Sequence, residues 1–135
     1  MAESNTFKYR KLQSCKCSAI RKSSRIITQY YDKKLKPINL KITQFSIISL
    51  IAISGNKTMN ALSDDLMMDR TTLTRGLDIL YKQKLIENVK TPDARKRVVR
   101  LTKLGFNLLE KAIPLWEEAE KEIFDECKKH GISAM

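Results

Sequence analysis

The densest run of side chains able to recognise another molecule lies between Arg70 and Arg75, which reads RTTLTR. Further along, Arg95, Lys96 and Arg97 stand in a row. An arginine guanidinium can donate two parallel hydrogen bonds to a guanine edge or to a phosphate. A threonine offers a hydroxyl to a base, or its methyl group to that of thymine. Arg70, Thr71, Thr72, Thr74 and Arg75 are therefore candidate base readers. Arg95, Lys96 and Arg97 are candidate contacts to an adjacent minor groove or its phosphates. This is the chemistry of recognition rather than of bond-making. The single histidine, His130, lies in the tail, and no nucleophile–base pair, P-loop or glycine-rich cradle is visible. No catalytic residue and no cofactor is expected.

Cys15, Cys17 and Cys127 are too few and too scattered for a disulfide framework and read as reduced thiols. Cys15 and Cys17 with Cys127 or His130 lack a recognised zinc spacing, so no metal site is expected. Tyr9, Tyr30 and Tyr31 have the chemistry to line a ligand cleft, or else serve as packing on a helix.

These side chains need elements to position them. Residues 1–14 are polar and aperiodic, which predicts a loose arm. From Lys16 to Lys36 apolar residues recur at Ile20, Ile27, Tyr30 or Tyr31, and Leu35, the spacing of a helix with one apolar stripe, ended by Pro37. Thr43 is expected to cap a second helix, apolar on nearly every side and closed by Gly55 and Asn56. Thr58 should cap a short third helix. Asp69 should cap a fourth, in which Leu73, Leu77 and Leu80 face inward. Gly76 within it costs roughly 1 kcal/mol against alanine, a sign of close packing or of tolerance. LIENV and RVVRL, separated by KTPDARK, read as a β-hairpin with an exposed basic tip. Thr102 should cap a last long helix carrying Leu104, Leu108, Ala112, Leu115 or Trp116, Ala119, Ile123 and Cys127, with Pro114 expected to kink it. The expected fold class is mainly α with a small β-hairpin wing (α+β), a winged helix-turn-helix. Its basic helix is shaped to enter a major groove about 12 Å wide.

Charge points the same way. Twenty-six basic against 15 acidic side chains leave +11, with a pI near 9.7. Residues 1–57 carry 12 basic and 2 acidic groups, whereas residues 102–135 carry 5 and 7. Such a body suits a polyanion, because neutralising phosphates releases condensed counterions. A ribosomal or peripheral membrane protein would share this charge. No run of about 18 apolar residues is present, and no apolar stretch follows the first charges, so neither a membrane span nor a secretory signal is expected and a cytoplasmic location follows.

The stretch from Lys41 to Ala119 resembles the MarR family of regulators. The resemblance is carried by the TTLTR run from Thr71 to Arg75, the KLI run at Lys84 to Ile86, Asp93 with Arg95, and LTKLG at Leu101 to Gly105. It spans roughly residues 10–127. It implies a transcription regulator, a repressor released by a small-molecule effector or by thiol oxidation, acting as a homodimer on double-stranded DNA with a pseudo-palindromic operator. Residues 1–37 would be the arm and first dimerisation helix, 38–101 the DNA-binding winged lobe with Arg95 in the minor groove, and 102–135 the second dimerisation helix, all in one intertwined domain. Cys17 stands where the organic-hydroperoxide-sensing branch has its reactive cysteine, and Tyr31 matches a tyrosine that bonds that thiolate. Two further tyrosines of that pattern are Arg21 and Ile42 here, and a buried inert Cys17 is the competing reading. Met67 occupies a turn position where the family often has glycine. The family commonly has one more C-terminal helix, whereas this chain ends at CKKHGISAM, from which a looser dimer is expected. Two other functions fit a basic winged helix: non-specific architectural DNA binding, and protein interaction without DNA, the latter opposed by the basic wing.

Overall fold

The computed structural model describes the backbone of residues 2–132 and side chains from Thr6 onward; Met1 and residues 133–135, which fall in the expected arm and last segment, lie outside the described residues. Among the described residues, six α-helices and three short strands follow one another as α1 (Ala2–Arg10), α2 (Lys16–Leu35), α3 (Ile42–Ser54), β1 (Lys57–Thr58), α4 (Met59–Leu66), α5 (Arg70–Lys82), β2 (Ile86–Val89), β3 (Val98–Leu101) and α6 (Lys103–Lys129). Single 3-10 turns follow α1 and α2.

The expected loose arm is instead helical. Its apolar spacing gives no sign of this, because every described side chain from Thr6 to Lys22 is exposed and none of them forms a buried face to impose a period. α2 is amphipathic and drives Leu35 fully into the core before Pro37 tightens the chain. Asn39 then takes a left-handed conformation (φ 57°), which asparagine tolerates better than most residues.

The N-cap of α3 is Lys41, two residues before the expected Thr43. The reason is a cap from outside the helix: Asp32 of α2 accepts the Ile42 N–H at 2.8 Å, and the Gln44 side chain accepts the Lys41 N–H at 3.0 Å. Thr43 is therefore not needed. Phe45, Ile47, Ile48 and Ile51 bury α3 at the centre of the lobe, and Gly55 (φ 83°) ends it.

The other three caps fall where the sequence places them. Thr58, Asp69 and Thr102 accept the backbone N–H of Ala61, Thr72 and Gly105 at 3.1, 2.8 and 3.1 Å. Each satisfies one orphan donor of a helix start. Leu73, Leu77 and Leu80 of α5 are fully buried. A Cβ on Gly76 would stand 3.0 Å from Cδ1 of Ile47, so close packing explains that glycine.

β2 and β3 form the expected antiparallel hairpin, Ile86 opposite Leu101 and Val89 opposite Val98. The sequence reading missed β1, a two-residue strand that pairs Lys57 with Val99 and makes the order β1-β3-β2. Two residues are too short to show a period. α6 remains one helix through Pro114. At its start Gly105 is wedged so tightly that a Cβ would lie 2.2 Å from the Leu85 carbonyl oxygen, and the Thr102 hydroxyl bonds the Lys84 carbonyl at 2.7 Å. At its far end Ala119, Ile123 and Cys127 pack with Tyr31 of α2 in a second, smaller core. Among the described residues no single helix is long and apolar enough to cross a membrane.

Candidate nucleic-acid interface

α4 and α5 are joined by a turn in which Met67 adopts a left-handed conformation (φ 49°) while its side chain is 94% exposed. The glycine-like geometry thus survives without the glycine. It is held by the Met68 N–H on the Ser63 carbonyl at 3.0 Å and the Ser63 hydroxyl on the Met68 carbonyl at 2.6 Å. Asp69 follows, and it also accepts the Thr72 hydroxyl at 3.1 Å. Hydrogen bonds from the Thr72 N–H and hydroxyl hold its carboxyl below the ordinary range, so it stays an anionic cap.

The eight residues expected to contact DNA divide by what they already hold. Arg70, Thr71 and Arg75 are exposed on the first turns of α5. Thr72 is committed to the Asp69 cap, and the Thr74 hydroxyl bonds back to the Arg70 carbonyl at 2.7 Å. On the wing, the Arg95 side chain is 93% exposed, with a 3.4 Å approach of Nε to Asp93. Asp93 shapes the tip: it accepts the Arg95 N–H at 3.0 Å through its carboxylate and the Lys96 N–H at 3.1 Å through its carbonyl. Arg97 is not free. Its guanidinium lies over the Tyr81 ring of α5, 4.9 Å from the centroid, a cation–π contact.

Tyr81, absent from the sequence reading, is the side chain that sets the wing against α5. Its ring carries Arg97, and its hydroxyl donates to Asn88 of β2. Its only signal was an aromatic beside the Leu77 and Leu80 stripe. Arg100 pairs across the hairpin with Glu87 at 2.9 Å and so serves the wing itself. The two halves of the expected interface converge on one recess of about 270 Å³. Arg70 from α5, Asn60 from the first turn of α4, and Arg95, Lys96 and Arg97 from the wing all line it. A cationic wall at a helix start can receive phosphate oxygens while Thr71 and Arg75 face outward beside it.

The thiols sort differently from expectation. Cys17 is exposed, not buried, and Tyr31 lies fourteen residues along the same helix, about 21 Å at 1.5 Å per residue. The two do not meet within one chain. Tyr31 is buried, and its hydroxyl donates to Glu120 of α6; burial and that carboxylate raise its pKa. Tyr30 packs edge-on to Tyr31 and donates to Glu122, while Tyr9 sits apart on α1. Cys15, at the N-cap of α2, is the thiol whose pKa is lowered, by hydrogen bonds from the Ser18 N–H, the Ser18 hydroxyl and the Cys17 N–H. Among the described residues no group of three or more His, Cys, Asp or Glu is arranged to hold a metal ion.

Residues 40–98 match the profile of the MarR family. The chain is 30% identical over 112 residues to the organic hydroperoxide resistance transcriptional regulator of Bacillus subtilis (strain 168), covering 82% of this chain and 76% of that protein. It is 34% identical over 79 residues to the HTH-type transcriptional regulator YhbI of the same organism; this covers 58% of the chain and only 51% of that regulator's length. Among solved structures, the M. tuberculosis transcriptional regulator MosR in complex with DNA superposes with a TM-score of 0.76 at 35% identity, covering 82% of this chain and 80% of that one.

Proposed function

The chain belongs to the MarR family, and from that premise we propose that it is a sequence-specific regulator of transcription that binds double-stranded DNA as a homodimer. The observation that carries this is the shared recess, where the first turns of α5 and the basic wing tip lie on one face. Arg70, Thr71 and Arg75 are the side chains free to read bases, Arg95 and Lys96 hold the backbone or minor groove, and Thr72, Thr74 and Arg97 position the others. Residues 38–101 form the DNA-binding lobe, with 1–37 and 102–135 supplying the dimer helices. The reading is of a regulator rather than an enzyme, working in the cytoplasm.

Selection of bound sequences from a random DNA pool tests it. A regulator enriches a two-fold site whose half-sites lie about 10 base pairs apart. It prefers that site over random DNA by a factor on the order of 10³ at fixed salt. Equal affinity for all sequences would instead mean an architectural binder. Arg75→Ala should cost about 1–3 kcal/mol of binding and relax the preference at one position, whereas Arg95→Ala should weaken binding with less change in preference.

The regulator is a repressor released by a small ligand or by thiol oxidation. The exposed Cys15, with its lowered pKa, supports the thiol route. Cys17 is its exposed neighbour two residues on. Alkylation of single-cysteine variants across pH should find Cys15 reacting at lower pH than Cys17. The reverse order would return the role to Cys17.

A further inference from the structure

We infer that Tyr81, in the last turn of α5, is a positioning residue for DNA reading: it fixes the wing so that Arg95 meets the duplex in step with Arg75. The role rests on the regulator reading above and gives Tyr81 itself no contact with DNA.

Tyr81 holds both strands of the hairpin at the level where their pairing ends. Its hydroxyl donates to Asn88, one residue before β2 closes with Val89 opposite Val98. Its ring carries the guanidinium of Arg97, the residue just before β3 begins. Beyond this level residues 90–97 form the tip. The bonds within the tip close on Asp93, which accepts the N–H groups of Arg95 and Lys96 and the Thr91 hydroxyl. They shape the tip without aiming it. Two ties on Arg97 do the aiming. Its carbonyl accepts the Met59 N–H of α4 at 3.0 Å, and its side chain lies 4.9 Å from the Tyr81 centroid. Among the described residues no other α5 side chain hydrogen-bonds or ion-pairs with the hairpin.

The position of Tyr81 separates holding from reading. It stands eleven residues after Arg70, about three turns and 16 Å along the same side of α5. A major groove that receives the first turns of a recognition helix leaves its last turn outside. The half-buried ring shields one face of the cation from water, which strengthens the attraction. Arg97 therefore acts through Arg95, two residues away. A tip released from Tyr81 must be ordered each time DNA binds, and that loss of freedom offsets what Arg95 contributes.

A double-mutant cycle on the operator selected from the random pool tests the role. In the wild type, Arg95→Ala should weaken binding about 10-fold or more. In Tyr81→Leu, which keeps an apolar side chain against the lobe core, the same change should weaken it less than about 3-fold. Arg75→Ala should cost the same in both backgrounds. Asn88→Ala, at an exposed position, and Tyr81→Phe both keep the ring under Arg97, and each should fall between wild type and Tyr81→Leu. In the DNA-free protein, Tyr81→Leu should quicken hydrogen exchange at the Met59 amide about 10-fold more than at Ile48, inside the lobe. An undiminished Arg95 cost, equal falls in the Arg95 and Arg75 costs, or equal quickening at Met59 and Ile48 would overturn the role. A pool that yields no preferred site removes the regulator reading and this role with it. A preferred site with an additive cycle removes this role alone.

Discussion

The lobe and the α2–α6 helix pair are built from the same residue types but are closed to different degrees. Among the described residues, sixteen buried ones form the lobe core, including the fully buried Ile48, Leu62, Leu73, Leu77 and Leu80, and partly buried side chains seal its edges. The helix pair has four, Tyr31, Ala119, Ile123 and Cys127. Beside them large apolar groups stay in water: Ile20 is 61% exposed and Phe124 71%. What holds this pair is largely polar, with Lys34 bridging Glu118 and Glu122 and the two tyrosine hydroxyls on Glu122 and Glu120. The lobe core, which takes in Leu35 of α2 and Ala112 of α6, is closed within one chain, whereas the far end of the helix pair leaves an apolar face that one chain does not cover. A second copy laid across it would finish the burial.

Leu77→Ala attacks the closed region and should have the largest effect, about 2–5 kcal/mol of unfolding free energy at any protein concentration. Phe124→Ala attacks the open one. It should leave unfolding of the dilute protein almost unchanged and remove the rise of thermal midpoint with concentration that a dimer shows. A Phe124 effect that ignores concentration would erase the distinction between the regions. Gly105→Ala strikes their junction, where the new Cβ meets the Leu85 carbonyl, and should cost about 1–3 kcal/mol in denaturant unfolding. Met67→Gly should stabilise by about 1 kcal/mol, because it relieves a left-handed side-chain residue whose side chain contributes almost no burial.

The smallest effect concerns pH. Lys34 and the Tyr30 hydroxyl hold the Glu122 pKa below its ordinary 4.5. Stabilisation from this group is therefore complete above 4.5 and is lost as pH falls through the lower folded value. Acid should loosen the helix pair at these contacts, and Glu122→Gln should flatten that part of the thermal-midpoint profile below the ordinary carboxylate value of 4.5. An unchanged profile would mean the polar clasp contributes little.

The elements that bury a stripe were legible from residues alone. α5 shows Leu73, Leu77 and Leu80 at helical spacing behind a capping aspartate, and the hairpin shows two β-branched runs around Pro92 and Asp93. α1 was not legible, because its described side chains, from Thr6 on, are all exposed and show no periodic face. Nor was the Asp32 cap, which reaches across ten residues of chain, a tertiary contact that no local pattern encodes. The basic residues of the candidate site were found by type. Their division into free and committed side chains was not, because it depends on where Tyr81 and Asp69 stand in space.

α6 belongs to both regions. It is pinned in the lobe at Gly105 and ends in the helix pair at Cys127. Its 27 residues make a rod about 40 Å long. As a lever, a tilt of only about 5° at the pinned end moves the far end by about 3 Å, given a rise of 1.5 Å per residue. Run in reverse, the same geometry divides a shift between paired chains into a small rotation of each lobe. In a two-fold assembly both lobes turn in opposite senses, so the spacing between the two α5 helices changes by twice what either lobe contributes.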